Sequence, residues 1–274
     1  MNQSELRDFL ETSYVRFNKP EFIDPDPLLL PREFPLVSDR EIAALVASCL
    51  AVGRAPLIVK ASRDILSRMN NSPRAFLEGA GLSDLRKAFS GFRYRFFSGD
   101  DIASLLYGVK TLVGNSLGLG EVFSSFIKSG DETVLGALGK FTHSLVGAST
   151  PVGGAFPFAK NLLPSPSGGS ACKRPLLFLR WMIRSDSVDP GGWDPLLAPL
   201  LVQPMDTHMT WVAQRFGFAS CLSAPNLRTA LEVTRRFREI EGNDPVKYDF
   251  CLTRPGIHPD LSRDDWFAPC GEES

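Results

Sequence analysis

What the sequence lacks narrows its chemistry first. Among 274 residues there are three histidines, at 143, 208 and 258, too far apart for a short metal motif. The five cysteines, Cys49, Cys172, Cys221, Cys251 and Cys270, are scattered and odd in number. That argues against a disulfide framework and leaves no ligand spacing for zinc or an iron–sulfur cluster, so no metal is expected. No uninterrupted apolar run approaches the length of a membrane span, and no membrane partner is expected. The N-terminus, MNQSELRDFLETSYVRF, carries Glu5, Asp8 and Glu11 where a secretion signal has its apolar core. It reads as a helix of a cytoplasmic protein. Strand-like alternation is scarce too: GAFPFAK and QPMDTHM are short and interrupted by proline.

What is present is an ordinary globular composition, 43% hydrophobic and 22% charged, long enough to bury a sizeable core. The net charge of −1 argues, taken globally, against a nucleic-acid binder, but the distribution is uneven. Lys173, Arg174, Arg180 and Arg184 fall in a stretch without acids, and RKAFSGFRYRFF at 86–97 interleaves four more basic residues with aromatics. Acids gather near the C-terminus at Asp260, Asp264, Asp265, Glu272 and Glu273. Such runs suit phosphate contacts, and they are also what a solvated helix face looks like. For each run alone the solvated face is the preferred reading.

Helical periodicity dominates. SDREIAALVASCLAVG, 38–53, opens on a capping box of Ser38 and Glu41, is apolar nearly all round, and ends at Gly53. PLIVKASRDILSRM, 56–69, starts with Pro56 and places Ile58, Ile65 and Met69 near one face. The segments 100–114 and 131–147 each begin with acids and end in glycine. NLRTALEVTRRFREIEG, 226–242, has Asn226 as cap and Gly242 as terminator, and NDPVKYDFCLTR, 243–254, pairs an Asp244 cap with Pro245. The fold class is all-α.

The residues with chemical promise lie between 162 and 217. The loop LLPSPSGGSAC turns at Gly168-Gly169 and feeds a helix beginning about Arg174-Pro175. Amides at such a turn and at a helix N-terminus suit a phosphate. Lys173 sits at that same end, where a cation is disfavoured and the neutral, nucleophilic amine is favoured. Downstream, PMDTHMTWVAQRFGF opens a helix with Asp206 as its cap and Met209, Val212, Ala213 and Phe216 as its inner face. A capping carboxylate is held ionised and oriented, as needed where positive charge builds on a sugar ring or where a lysine must lose a proton. On spacing alone, both residues also read as ordinary helix starts.

A glycine-containing hairpin, a Lys opening the next helix, and an Asp-Thr-His opening a further one resembles the helix-hairpin-helix DNA glycosylase superfamily. PMDTHM is similar there to a Val-Asp-Thr-His-Val type sequence. The separation of Lys173 and Asp206 is closer to the archaeal 8-oxoguanine glycosylase branch than to the endonuclease III branch, whose iron–sulfur cysteines are absent. Over nearly its full length the chain also resembles an uncharacterised bacterial family of TIGR-type hypothetical proteins, domain of unknown function 2400. The matching pieces are DREIAALVASCLAVG, FRYRF, KRPLLFLRWMIRSDSVDPGGW, PMDTHM and DPVKYDF.

The superfamily resemblance implies a monomeric enzyme that needs no cofactor and takes damaged duplex DNA with the target nucleotide flipped out. Lys173 would displace the base at C1′ and form a Schiff base that permits strand cleavage. Asp206 would activate it and stabilise the oxocarbenium-like transition state. Gly168, Gly169 and Ser170 of the hairpin, with Arg174, would hold a DNA phosphate. The usual hairpin is Leu-Pro-Gly-x-Gly; here Leu163-Pro164 runs into SPSGGSAC, a longer turn. Two helical lobes around a cleft are implied, one from 38–160 and one from 1–37 plus 161–274, which includes the hairpin unit 162–184.

Other residues carry paired readings. His208 is part of a first helical turn or a phosphate contact. Arg93 and Arg95 of FRYRF face a DNA backbone, with Tyr94 and Phe96 turned inward, or simply form a turn. Trp181 reads as core; Trp193, in a loop, either stacks on a base or does not; Arg54 is a candidate for the cleft. Two alternatives to an enzyme stay open: a non-catalytic helix-hairpin-helix module that binds DNA, and a helical protein unrelated to DNA.

Overall fold

The computed structural model describes residues 2–114, 118–149, 162–219 and 225–266. GAFPFAK and the expected lobe boundary at 160 lie outside the described residues. Within them the chain is helical apart from one two-stranded ribbon, as the scarcity of alternating patterns led us to expect. No helix among the described residues is long and apolar enough to cross a membrane.

The N-terminal helix α1 (Gln3–Phe17) is closed by a capping box. Asn2 accepts from the Glu5 amide at 2.9 Å and donates its own amide back to Glu5 at 2.8 Å. Its buried residues Leu6, Leu10 and Phe17 recur at helical spacing. The short α2 (Leu29–Arg32) leads to α3 (Val37–Cys49), buried from Glu41 to its end. The expected capping box at Ser38 does not form. A helix surrounded by protein points its first turn into other elements, and Glu41, 2% exposed, finds donors there. It accepts from the Leu119 and Gly120 amides at 2.8 and 3.2 Å and from the Trp193 indole at 3.1 Å. It thus caps α8 (Leu119–Ser124) instead of its own helix. Burial raises the proton affinity of this carboxyl, against the pull of those three donors.

Helix α3 also stops short of the expected Gly53, which instead turns the chain at φ +109° into α4 (Ala55–Arg68). There Pro56 lies in the first turn and Ile58, Ile65 and Met69 are buried, as the spacing predicts. Next come α5 (Pro73–Gly79), α6 (Leu82–Ala88) and the ribbon of β1 (Arg93–Tyr94) and β2 (Phe97–Ser98). Helix α7 (Gly99–Val113) is capped reciprocally by Ser98 and Asp101. It packs on α9 (Leu135–Ala148) so closely that a Cβ at Gly108 would lie 2.8 Å from the Leu145 carbonyl. Helix α9 begins later than its acids suggest, because Asp131 closes a turn on the Lys128 amide.

In the C-terminal half, α10 (Lys173–Ile183) packs against α3. Helix α11 (Thr207–Arg215) and α1 both pack on α13 (Asp249–Thr253). Between them α12 (Leu227–Arg238) is capped by Asn226 as expected but ends before Gly242. The helix expected over 243–254 shrinks to α13, since Asp244 is drawn to Arg184 at 2.8 Å instead of capping.

That pairing belongs to a buried network that overturns the reading of 173–184 as a solvated basic face. Arg180 bonds to Asp189 at 2.9 Å and to Asp249; Arg184 bonds to Asp186 at 2.9 Å, to Asp244 and to Asp189. Both arginines and Asp189 are buried. A charge inside an apolar helix is tolerated when opposite charges are buried with it, and the acids of SDSVD, Asp244 and Asp249 supply them.

Candidate active site

Lys173 and Asp206 meet at the wall of a cavity of about 740 Å³. The first turn of α10 brings the lysine there. Cys172 takes the left-handed conformation at φ +49°, redirecting the chain so that Lys173 is the first helical residue. Leu177, Arg180 and Trp181 follow it along one helical face and line the same cavity. Trp181 is 1% exposed and serves as core as well as wall.

Asp206 reaches the cavity as the cap of α11. Its Oδ1 accepts from the amides of His208 and Met209 at 2.9 and 2.8 Å, which fixes the carboxylate plane. Its Oδ2 is left facing Lys173 Nζ at 3.6 Å, with both side chains only partly exposed. One oxygen is committed to the helix and the other to the amine. The capping group of α11 is therefore also the group that faces Lys173.

The rest of the cavity comes from elements distant in sequence. Gly53, Arg54 and Pro56 stand on one side, at the junction of α3 and α4. Pro25 and Asp26 lie on another, and Asp249, Thr253 and Arg254 come from α13 and the turn after it. Arg54 is thus on the wall. Asp249, Arg180 and Arg254 were missed. Their signal was an isolated charge in an apolar stretch, as in VKYDFCL, which marks a buried partner without saying which.

Several expected contacts are not available. Trp193 does not line this cavity: 8% exposed, it donates to Glu41 and stacks on Phe123 at 5.5 Å. Arg174 is not free for a phosphate, because it donates to the carbonyls of Cys49 and Leu162 at 2.8 and 3.1 Å and lies 5.8 Å over the Phe97 ring. The Gly168 and Gly169 amides close their own turn on Ser165 and Pro166 at 3.1 Å, with Gly169 at φ +70°. Ser170 pairs with Asn226, and its hydroxyl accepts from the Cys172 amide at 3.1 Å. The longer loop uses its donors internally, where a compact hairpin would aim them outward. His208 lines the cavity, half-buried against Gly256, and burial first of all lowers its proton affinity. Arg93 and Arg95 are exposed, but Phe96 points outward and Phe97 fills the inward place.

At the cavity floor Asp249 accepts from Arg180 and Gln203. Burial nonetheless pushes its carboxyl up to about 6, with Arg180 opposing and Asp206 adding to the rise. The folded form then binds a proton that the unfolded chain has released, so this group's contribution to stability is present at low pH and is lost as pH rises from about 4 to about 6. Asp249→Asn, which cannot ionise, is expected to remove this slope. Between those pH values the wild type should lose on the order of 3 kcal/mol relative to the variant. Paired thermal melts across the range check it; parallel curves would show that Asp249 titrates normally.

Residues 26–258 match the model of a family described as Protein of unknown function (DUF2400), and the chain belongs to that family. The match takes in Lys173, Asp206 and almost the whole cavity wall. No curated protein and no solved structure matches the chain, so its likeness to the helix-hairpin-helix glycosylases rests on the residues quoted above.

Proposed function

We propose that this protein is a DNA base-excision enzyme of the helix-hairpin-helix glycosylase type, with Lys173 as nucleophile and Asp206 as its partner. The observation that carries the reading is the divided Asp206 carboxylate, one oxygen held by helix amides and the other 3.6 Å from the Lys173 amine at the wall of a nucleoside-sized cavity. A structural cap needs only the first of these contacts.

In this reading a damaged nucleotide leaves the duplex stack and enters the cavity between two helical lobes. Asp206 takes a proton from the Lys173 ammonium and hands it on to the departing base, so that the carboxylate is charged again as positive charge grows on the sugar ring. The Lys173 nitrogen bonds to C1′ as the N-glycosidic bond breaks, and the bond's electron pair leaves with the base, which gains a proton. Opening of the sugar ring converts the adduct to a Schiff base. Abstraction of a 2′ proton then expels the 3′ phosphate and cuts the strand, or water releases the amine first. No cofactor is called for. Pro25, Pro56, Pro204, Trp181 and Ile257 give the cavity an apolar lining that suits a base, and the archaeal likeness points to 8-oxoguanine. Arg54, Arg93 and Arg95, all exposed, are assigned to the DNA backbone in this reading.

Borohydride trapping tests the reading, on a duplex carrying 8-oxoguanine and on an abasic-site duplex. The expected result is a covalent adduct on both that maps to Lys173. Base release without an adduct would make the enzyme a glycosylase without lyase chemistry. Salt-sensitive binding with neither adduct nor release would leave a non-catalytic DNA-binding module.

A further inference from the structure

Among the described residues three arginines are buried: Arg180, Arg184 and Arg254. The first two bond every nitrogen of the guanidinium to a carboxylate, Arg180 to Asp189 and Asp249, Arg184 to Asp186, Asp189 and Asp244. Arg254, 2% exposed, does not. Its Nη2 donates to Asp26 at 2.7 Å, while Nε and Nη1 have no acceptor among the described residues. The other oxygen of Asp26 is turned to the Leu28 amide at 2.9 Å. Native proteins rarely leave a buried donor unpaired, least of all on a cation.

The place of Arg254 says where the missing acceptors belong. It lines the same cavity as Lys173 and Asp206. Phe250, which is not part of that wall, backs the guanidinium with its ring centroid at 4.3 Å. The same ring lies 6.0 Å from Arg180, the residue before Trp181. Trp181 lines the cavity too, and its indole N–H is likewise without an acceptor. The unpaired buried oxygens of the described side chains, on Asn18, Ser62, Gln203 and Asp244, are all outside this wall. The wall thus carries buried donors in excess, and what completes it is a ligand rich in acceptors.

Building on the DNA reading, we infer that Arg254 and the Trp181 indole select the base by donating to its carbonyl oxygens. The ligand they fit is a purine with carbonyls at both C6 and C8. These lie on one edge of the ring system and give each donor an acceptor. A purine with an amino group at C6 sets a donor against a donor and leaves a buried N–H unpaired.

The test uses the full chain and single-turnover base release from three duplexes, each with the lesion opposite cytosine. The lesions are 8-oxoguanine, 8-oxohypoxanthine, which lacks only the 2-amino group, and 8-oxoadenine, which has an amino group at C6. Wild type should release the first two at rates within about threefold, and 8-oxoadenine about a hundredfold or more slowly. Trp181→Phe, which keeps a ring and loses the N–H, should narrow that preference about tenfold. Arg254→Met combined with Asp26→Asn removes both charges together and should bring the three rates close to one another. Arg254→Lys keeps the charge beside Asp26 and should still lose most of the preference. The readout is a ratio of rates on one folded protein, so a loss of stability alone does not move it. The inference is overturned if wild type releases 8-oxoadenine as fast as 8-oxoguanine, or if the folded variants keep the wild-type preference. It is also overturned if wild type cuts an abasic-site duplex but releases none of the three bases, which would leave Lys173 its chemistry and give the cavity another base. A wild type that neither binds nor cuts DNA would instead sink the DNA reading itself, before any variant is compared.

Discussion

Lys173→Gln is expected to lower base release by on the order of 10³-fold or more and to abolish borohydride trapping, with DNA affinity nearly unchanged. The asymmetry follows from the geometry. Glutamine is one bond shorter but keeps an uncharged N–H donor at the same helix position, so the first turn of α10 should keep its place. What it lacks is an amine that can lose a proton and bond to carbon. Lys173 is also only partly exposed beside a carboxylate, so its charge adds little to long-range attraction of a polyanion. If it were a phosphate contact, its loss would weaken binding and shallow the salt dependence by about one charge. Equal losses of affinity and turnover would therefore refute the nucleophile. Asp206→Asn supplies the companion experiment, since asparagine is as good a helix cap as aspartate. The fold should survive and turnover should not. Direct titration of a labelled duplex at two salt concentrations, beside single-turnover excision, separates these outcomes.

The sequence announces some of this and conceals the rest for physical reasons. Cap signals close to a helix were readable where the helix meets solvent, as at Asn226 and Asp206. They failed at Ser38 and Asp244, where buried partners outbid the local amides: Glu41 turns to α8 and Asp244 to Arg184. Lys173 and Asp206 were legible because their roles begin locally, at helix starts. Asp249 and Arg254 were not, because only tertiary packing sets α13 against α10 and α11. The arginines of 173–184 show the same limit from the other side. Their spacing is compatible with a solvated face, and nothing local reveals that Asp186, Asp189, Asp244 and Asp249 come inward to meet them. Arg174 likewise reads as free charge until its two carbonyl acceptors are known.

That inward network sets the largest expected effect on stability. Asp189 is 0% exposed and serves both arginines, Oδ1 accepting from Arg180 at 2.9 and 3.2 Å and Oδ2 from Arg184. Asp189→Ala would leave Arg180 with Asp249 alone and Arg184 with Asp186 and Asp244. Two guanidiniums would lose acceptors where water does not reach. Removing one partner from a buried ion pair costs about 3–5 kcal/mol, a large part of the stability of an ordinary domain. An exposed pair gives the contrast: Arg74 and Glu78 lie 2.8 Å apart on the surface of α5, and Arg74→Ala should cost no more than about 1 kcal/mol. Denaturant unfolding of both variants reads the difference as a shift in midpoint at constant slope. If Asp189→Ala cost as little as Arg74→Ala, the network would not be what holds α10 in place. The same network joins α10 to α13 through Arg180 and Asp249, so a collapse there should also displace Lys173 from Asp206. Asp189→Ala that remains folded should then lose trapping by borohydride although it touches no part of the cavity chemistry. Retention of full trapping in a folded Asp189→Ala would mean that the packing of α10 on α3 alone is enough to position the lysine.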